Sequence, residues 1–426
     1  MPSFLILYTV CSTLILAELL RGDPSWQLAS TLTVLVSSVL LVAALGKLST
    51  WLGLRFGNGL KAQSTEEVWD RMLRIGHDRP YQFLCIAYPL LLYASDAIAW
   101  ANGFRQAGWH LAFATLLFAP HLVFCLSIAW VAAQVDGYFG ESVLERWRLR
   151  LRLGAWTNTV VCLVPLFLIM TISDLMNSQM TAAIPFVLRI LSCIGVVLLC
   201  LASYPTFLSF WMGCRDLDQP KLQMRIERLR NALGIRKCKV RIVSSNETWN
   251  SAAVVGWIPW GRQLWLGDGL VEHLTSAEID MVVLHELAHI RLLHFFNRLL
   301  PALWSALIGT AVLLGLNILI GTLWANGAAA LVISSIVLVV GLAWVSRKCE
   351  YEADIWAAGV AAENCEWAHG CPKAAAESLL SALCKLTPDT AANRVTLLHP
   401  SFLQREAQLA HALSYARAES LQTVGN

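Results

Sequence analysis

Apolar runs of about 20 residues recur eight times along the chain, near 3–20, 27–46, 81–101, 109–133, 156–176, 182–203, 302–324 and 328–346. Each is long enough to cross the roughly 30 Å hydrocarbon layer as a helix. Asp96 weakens the third run and Arg189 the sixth, and those two make a natural buried pair. The first run has neither a basic leader nor a small-x-small cleavage site, so a retained anchor is expected. Polar sequence fills about 214–298 and the tail 347–426. Within the first stretch, 220–233 has helical periodicity and stops before Gly234. Short apolar runs at 239–244, 252–257 and 263–267 read as strands, with a turn at Pro259-Trp260-Gly261. Thr275-Ser276-Ala277-Glu278 is a capping box that opens the next helix.

Composition agrees with the runs. Hydrophobic residues make up 57% and charged residues 14%, against roughly 25% charged in a soluble domain. A soluble or disordered chain is excluded, and a net charge of +3 gives no reason to expect nucleic acid. The distribution of charge says more than its sum. Of the 32 Lys and Arg, 29 fall after the second, fourth, sixth and eighth runs. Basic residues resist translocation, so that side is cytoplasmic, together with both termini and both polar regions. The twelve Cys contain no C-x-x-C pair, and free thiols are expected on a reducing side.

Chemistry enters at His285-Glu286-Leu287-Ala288-His289. Residues four apart differ by only about 40° around a helix, so both imidazoles aim at one point. Such a pair suits Zn²⁺, and Glu286 is placed to act on a water that zinc has acidified. The helix is mostly apolar (Met281, Val282, Val283, Leu284, Leu287, Ala288), so charged groups on it need partners.

A catalytic zinc site takes a third protein ligand. His294 lies five residues beyond His289, about 140° away around the helix. The metzincin spacing needs Gly at 292 and His at 295, where the chain has Leu292 and Phe295. Beyond the last two runs comes Ser346-Arg347-Lys348-Cys349-Glu350-Tyr351-Glu352-Ala353-Asp354. Two spans with almost no loop form a hairpin, which returns the chain to the face it left. Glu350 there can complete a site of two histidines and a glutamate. Asp354, four residues on, suits a partner of a ligating imidazole.

H-E-L-A-H, a membrane hairpin and then S-R-x-x-E-Y-x-A-D resemble the HtpX-type and prenyl-CAAX-processing family of integral-membrane zinc endopeptidases (metallopeptidase family forty-eight, gluzincins). Asn250-Ser251-Ala252-Ala253 looks like the family's edge-strand segment, and His399-Pro400 with Arg405 is similar to its late H-P-x-x-x-x-R. The resemblance implies one Zn²⁺ per chain on His285, His289 and Glu350, with Glu286 as general base and Asp354 behind a ligand. It further implies that His399 and Arg405 approach the site, polarising the oxyanion or bracing a ligand. Asn250, Ala252 and Ala253 would bind the substrate backbone by strand addition.

The expected fold is a polytopic helical membrane protein of about eight spans with a cytoplasmic α+β zincin-like protease domain. Residues 1–213 form a membrane domain of about six helices, and 214–300 the α+β part with the zinc helix. Residues 301–346 form the hairpin, and 347–426 a helical part with the third ligand. The expected activity is endoproteolysis of membrane-associated or misfolded membrane proteins, at the cytoplasmic face of a bacterial plasma (inner) membrane. CAAX-type processing of lipidated peptides is an alternative; so is a metalloprotease-domain signal transducer, which would need an extracytoplasmic sensor. Substrates and the bilayer are the expected partners, and no oligomeric state follows.

Overall fold

The computed structural model describes residues 97–138, 142–153, 155–177, 186–235, 237–243, 251–256, 258–320, 323–365, 371–386 and 399–424, with Tyr88, Leu92 and Ala368. The chain divides into two compact units. The first comprises Met1–Cys200 and Trp304–Ile336; the second comprises Leu201–Leu303 and Val337–Asn426.

The first unit contains α1 (Ala97–Gln106), α2 (His110–Tyr138), α3 (Val143–Leu153), α4 (Ala155–Asn177) and most of α5 (Phe186–Trp211). Two carboxylates among these helices are held by named partners. Asp174 accepts hydrogen bonds from the His110 and Leu111 backbone N–H groups at 2.6 and 2.8 Å, satisfying donors that the start of α2 would otherwise leave open. Arg150 grips the buried Asp136 through two nitrogens. Among the described residues four helices are long and apolar enough to span a bilayer: His110–Gly137, Ile194–Trp211, His294–Leu319 and Val332–Asn364. The chain is an integral membrane protein. The runs at 3–20 and 27–46, most of 81–101, and the Asp96 and Arg189 side chains lie outside the described residues.

The second unit holds the polar segments. Its four-stranded sheet has β1 (Cys214–Asp216), β2 (Lys239–Val243), β3 (Ala252–Val255) and β4 (Gln263–Gly267) in the order β1-β2-β4-β3. Strands β2 and β4 are parallel, and β3 runs antiparallel to β4 as an edge strand. Helix α6 (Pro220–Ala232) leads from β1 to β2, and the single-turn α7 (Asp268–His273) follows β4. Next comes α8 (Ser276–Arg291), with the capping box formed as its sequence requires. The core joins Ile226 of α6, Leu264 and Leu266 of β4, Val283, Leu284 and Leu287 of α8, and Ala357 and Ala361 from further along the chain.

Helix α9 (His294–Ile320) leaves this core and α10 (Leu323–Asn364) returns to it. The two pack closely enough that a Cβ on Gly341 would stand 3.2 Å from the Pro301 Cβ. At 42 residues, α10 is about 63 Å long, roughly twice the hydrocarbon thickness. Its residues from Val337 onward belong to the second unit. Helices α11 (Pro372–Leu386) and α12 (Phe402–Val424) complete the described elements.

Candidate metal centre

Helix α8 fixes the first three chemical groups. Its N-terminal end is pinned at Glu278, whose carboxylate accepts bonds from Thr275 N at 2.7 Å, Ser381 Oγ at 2.6 Å and Lys385 Nζ at 2.8 Å. Two turns later His285 and His289 present their rings from one face, 4.9 Å apart between centroids. Helix α10 supplies Glu350, which is 1% exposed. Its two oxygens stand 3.6 Å from His285 Nε2 and 3.6 Å from His289 Nε2. Donors in a tetrahedral zinc site, with bonds of about 2.1 Å, lie about 3.4 Å apart. The spacing therefore fits one ion held by Nε2, Nε2 and a carboxylate oxygen. The donor atoms of His285, Glu286 and His289 also fall within 4.8 Å of one another.

The far nitrogens of both rings are occupied, which leaves the Nε2 lone pairs for a metal. His285 Nδ1 meets Asp354 at 2.9 Å. Asp354 is clasped in turn by Arg405 through Nε at 2.7 Å and through Nη2. His289 Nδ1 meets His294 Nδ1 at 2.7 Å. Glu350 also takes a bond from Arg298 Nη2 at 2.6 Å and has His399 Nδ1 at 3.2 Å.

The electrostatics follow from this crowd of acids. Burial disfavours a charged His285, but bonds to Asp354 and Glu350 outweigh it and raise its pKa to about 9. Burial and the adjacent His285 charge keep His289 neutral. Burial also pushes the Glu286 carboxyl above the usual range, while the Val254 N–H hydrogen-bonds to it. That last contact orients the sheet edge. Gly267 N–H bonds to Ser251 O, so with the β3–β4 register Ser251, Ala253 and Val255 are the residues bonded to β4. The outward-facing backbone groups belong to Ala252 and Val254. The free edge of β3 thus faces Glu286.

Residues 216–413 match the family model described as Peptidase family M48. Over those residues, a little under half of its length, the chain is similar to that peptidase family. It is a metallopeptidase and a membrane protein. The crystal structure of S. mikatae Ste24p is similar, with a TM-score of 0.44 and 16% identity over 91% of this chain and 100% of that one. No curated protein matches the chain.

Within this peptidase unit the geometry brings together His285, Glu286, His289, Glu350, Asp354, His399 and Arg405, all read from the sequence. Arg405 reaches Asp354 and lies 3.5 Å from His285 Nδ1, so it braces the ligand side of the site. Ala252 sits on the free edge, Ala253 pairs with Trp265, and Asn250 lies outside the described residues. Sequence reading missed Arg298 and the part played by His294. An arginine one turn into an apolar helix was the available signal for the first, since charge entering a membrane helix calls for a partner. The second was hidden because α8 does not continue. It ends at Arg291, and Leu293 adopts φ 55°, the left-handed region, before α9 begins at His294.

Proposed function

We propose that this metallopeptidase is a zinc endopeptidase with one Zn²⁺ held by His285, His289 and Glu350. It would cut membrane-associated or misfolded membrane proteins at the cytoplasmic face of a bacterial inner membrane. The observation that carries the reading is the pair of 3.6 Å separations from Glu350 to the two Nε2 atoms. When bound, zinc supplies Lewis-acid polarisation of a peptide carbonyl and acidifies a water.

The chain's own groups do the rest. Glu286, its carboxyl raised by burial, takes a proton from the attacking water and returns it to the leaving amide nitrogen. Ala252 through its N–H and C=O, and Val254 through its C=O, would bond an extended substrate, while the Val254 N–H holds Glu286 beside the scissile bond. His399, half-exposed beside Glu350, is placed to donate to the oxyanion. Arg405 keeps Asp354, and through it His285, in position. The cytoplasmic assignment and the full set of eight spans rest on the one-sided placement of Lys and Arg.

The test uses purified full-length protein in detergent. Peptide hydrolysis should vanish on chelation and return with zinc, and Glu286→Gln should keep the metal while losing at least a hundredfold in rate. Absence of stoichiometric zinc, or a Glu286→Gln variant at full rate, overturns the reading. Proteins trapped by Glu286→Ala in native membranes identify the substrate class. A catch dominated by lipidated peptides would favour CAAX-type processing over quality control.

A further inference from the structure

Three polar groups stand behind His289 that the proposed reaction does not use: His294, Cys349 and Glu352. His294 is 1% exposed and Cys349 is equally buried. The three offer donor atoms within 4.8 Å of one another, close enough to hold a second metal ion. Proton bookkeeping decides against that use. His294 Nδ1 is committed to His289 Nδ1 at 2.7 Å, and its Nε2 lies 3.2 Å from Glu352 Oε2. A metal on His294 Nε2 would force the proton onto His294 Nδ1. The two rings would then share that proton only if His289 Nδ1 accepted it, which places the remaining His289 proton on Nε2. His289 could not then ligate through Nε2.

The opposite arrangement is self-consistent at every atom. With the His289 Nε2 lone pair turned to the ligand site, its proton sits on Nδ1 and is donated to His294 Nδ1. His294 carries its own proton on Nε2 and donates it to Glu352. We infer that His294 and Glu352 form a two-step hydrogen-bond relay that sets the tautomer and ring orientation of His289 for zinc. The inference rests on the zinc reading above and deepens it. His285 has the shorter form of the same device, a direct bond from Nδ1 to the Asp354 carboxylate. Carboxylate-backed imidazoles are oriented and made more basic, and loss of the backing group costs roughly 10–100-fold in metal affinity or activity. Lys348, 3.7 Å from Glu352 on the same helix, is mostly exposed and steadies the far end only weakly. The turn at Leu293 makes the relay possible: it breaks α8 and brings the His294 ring to 4.9 Å from that of His289. His294 and Glu352 are therefore positioning residues, acting through His289 without touching substrate.

Full-length wild type, His294→Leu, His294→Gln, Glu352→Leu and Cys349→Ser would be compared by chelator competition for zinc. Cobalt-loaded samples would be followed by the strongly shifted, exchangeable proton resonance of the ligating imidazole. His294→Leu should weaken zinc binding by roughly 10–100-fold and make that imidazole proton exchange faster. His294→Gln should recover affinity to within a few-fold, because its amide accepts at one end and donates at the other. Glu352→Leu should shift the proton resonance with a smaller loss of affinity, and Cys349→Ser should change neither. Thermal unfolding of the zinc-free forms checks that each variant folds. Wild-type zinc affinity and an unchanged resonance in His294→Leu overturn the relay while leaving the zinc reading intact. Two zinc ions per chain, falling to one in Cys349→Ser, overturn it in favour of a second metal site. A wild type without zinc defeats the parent reading itself.

Discussion

Glu278 is the place where the start of the zinc helix is fixed, and its titration gives a quantitative test of the packing. It closes the capping box with Thr275 and bonds Ser381 and Lys385 of α11. Burial alone would raise its pKa, but the bonds from Lys385, Ser381 and Thr275 outweigh it and hold the carboxyl at about 2, against an ordinary value of 4.5. A carboxyl so displaced favours the folded form by roughly 3 kcal/mol once it is ionised. Lys385 is 43% exposed, so part of its share is screened by salt and the hydroxyl bonds carry more of the effect.

The sign follows from the direction of the shift. The folded pKa lies below the unfolded one, so the contribution is complete above pH 4.5 and is lost as pH falls from there towards 2. Glu278→Gln keeps the size of the side chain and removes the charge. At pH 7 the variant should unfold earlier by about 6–12 °C, taking roughly 2–4 °C per kcal/mol for a unit of this size. Tryptophan fluorescence during heating in detergent micelles, repeated from pH 7 to pH 3, reads the difference between the two proteins. Other carboxyls titrate in both and cancel in that difference. The gap should narrow steadily below pH 4.5. A gap that is constant with pH, or absent at pH 7, would refute the account of how α8 is held.

Three further outcomes follow from particular contacts. Arg405→Met leaves the buried Asp354 without its cation, and calorimetry in detergent should register a loss of about 3–5 kcal/mol. Leu293→Gly relieves a left-handed residue whose side chain is 57% exposed; chemical denaturation should find it neutral or up to about 1 kcal/mol more stable. Gly341→Leu wedges a side chain against Pro301 and shifts α10, so zinc affinity by chelator competition should fall at least tenfold even though no proposed ligand is altered.

Local rules carried the sequence reading as far as they apply. The capping box at Thr275 and the strands read at 239–244, 252–257 and 263–267 are set by side chains within a few positions of one another, and the structure forms each of them, ending the first at Val243 and the second at Val255. Glu350 was legible for a topological reason, since a hairpin with almost no loop must bring the chain back. The eighth run ends at 346 by hydropathy, yet α10 continues to Asn364. Hydropathy registers the change from lipid to protein surroundings, to which the backbone hydrogen bonding is indifferent. His294 was misjudged because the 140° offset assumes a continuous helix. The break at Leu293 carries no Gly or Asn to announce it; tertiary contacts of His294 with His289 and Glu352 hold it there.

The charges at the site explain why its parts come from three distant stretches of chain. Glu286, Glu350 and Asp354 crowd three carboxylates into one pocket, faced by two guanidiniums, Arg298 and Arg405. Without a metal the missing positive charge is a proton, and His285, with its pKa near 9, is the group that holds it. A divalent cation at the Nε2 atoms would displace that proton and answer the same deficit, so acid and metal compete for one place. Glu350 and Asp354 stand four apart on α10, and the guanidiniums of Arg298 on α9 and Arg405 on α12 give each of those two acids a cation, which offsets their mutual repulsion. The excursion through α9 and α10 then has a purpose beyond anchoring: it delivers Glu350 already paired with Arg298, so the acid can be buried before any metal is present.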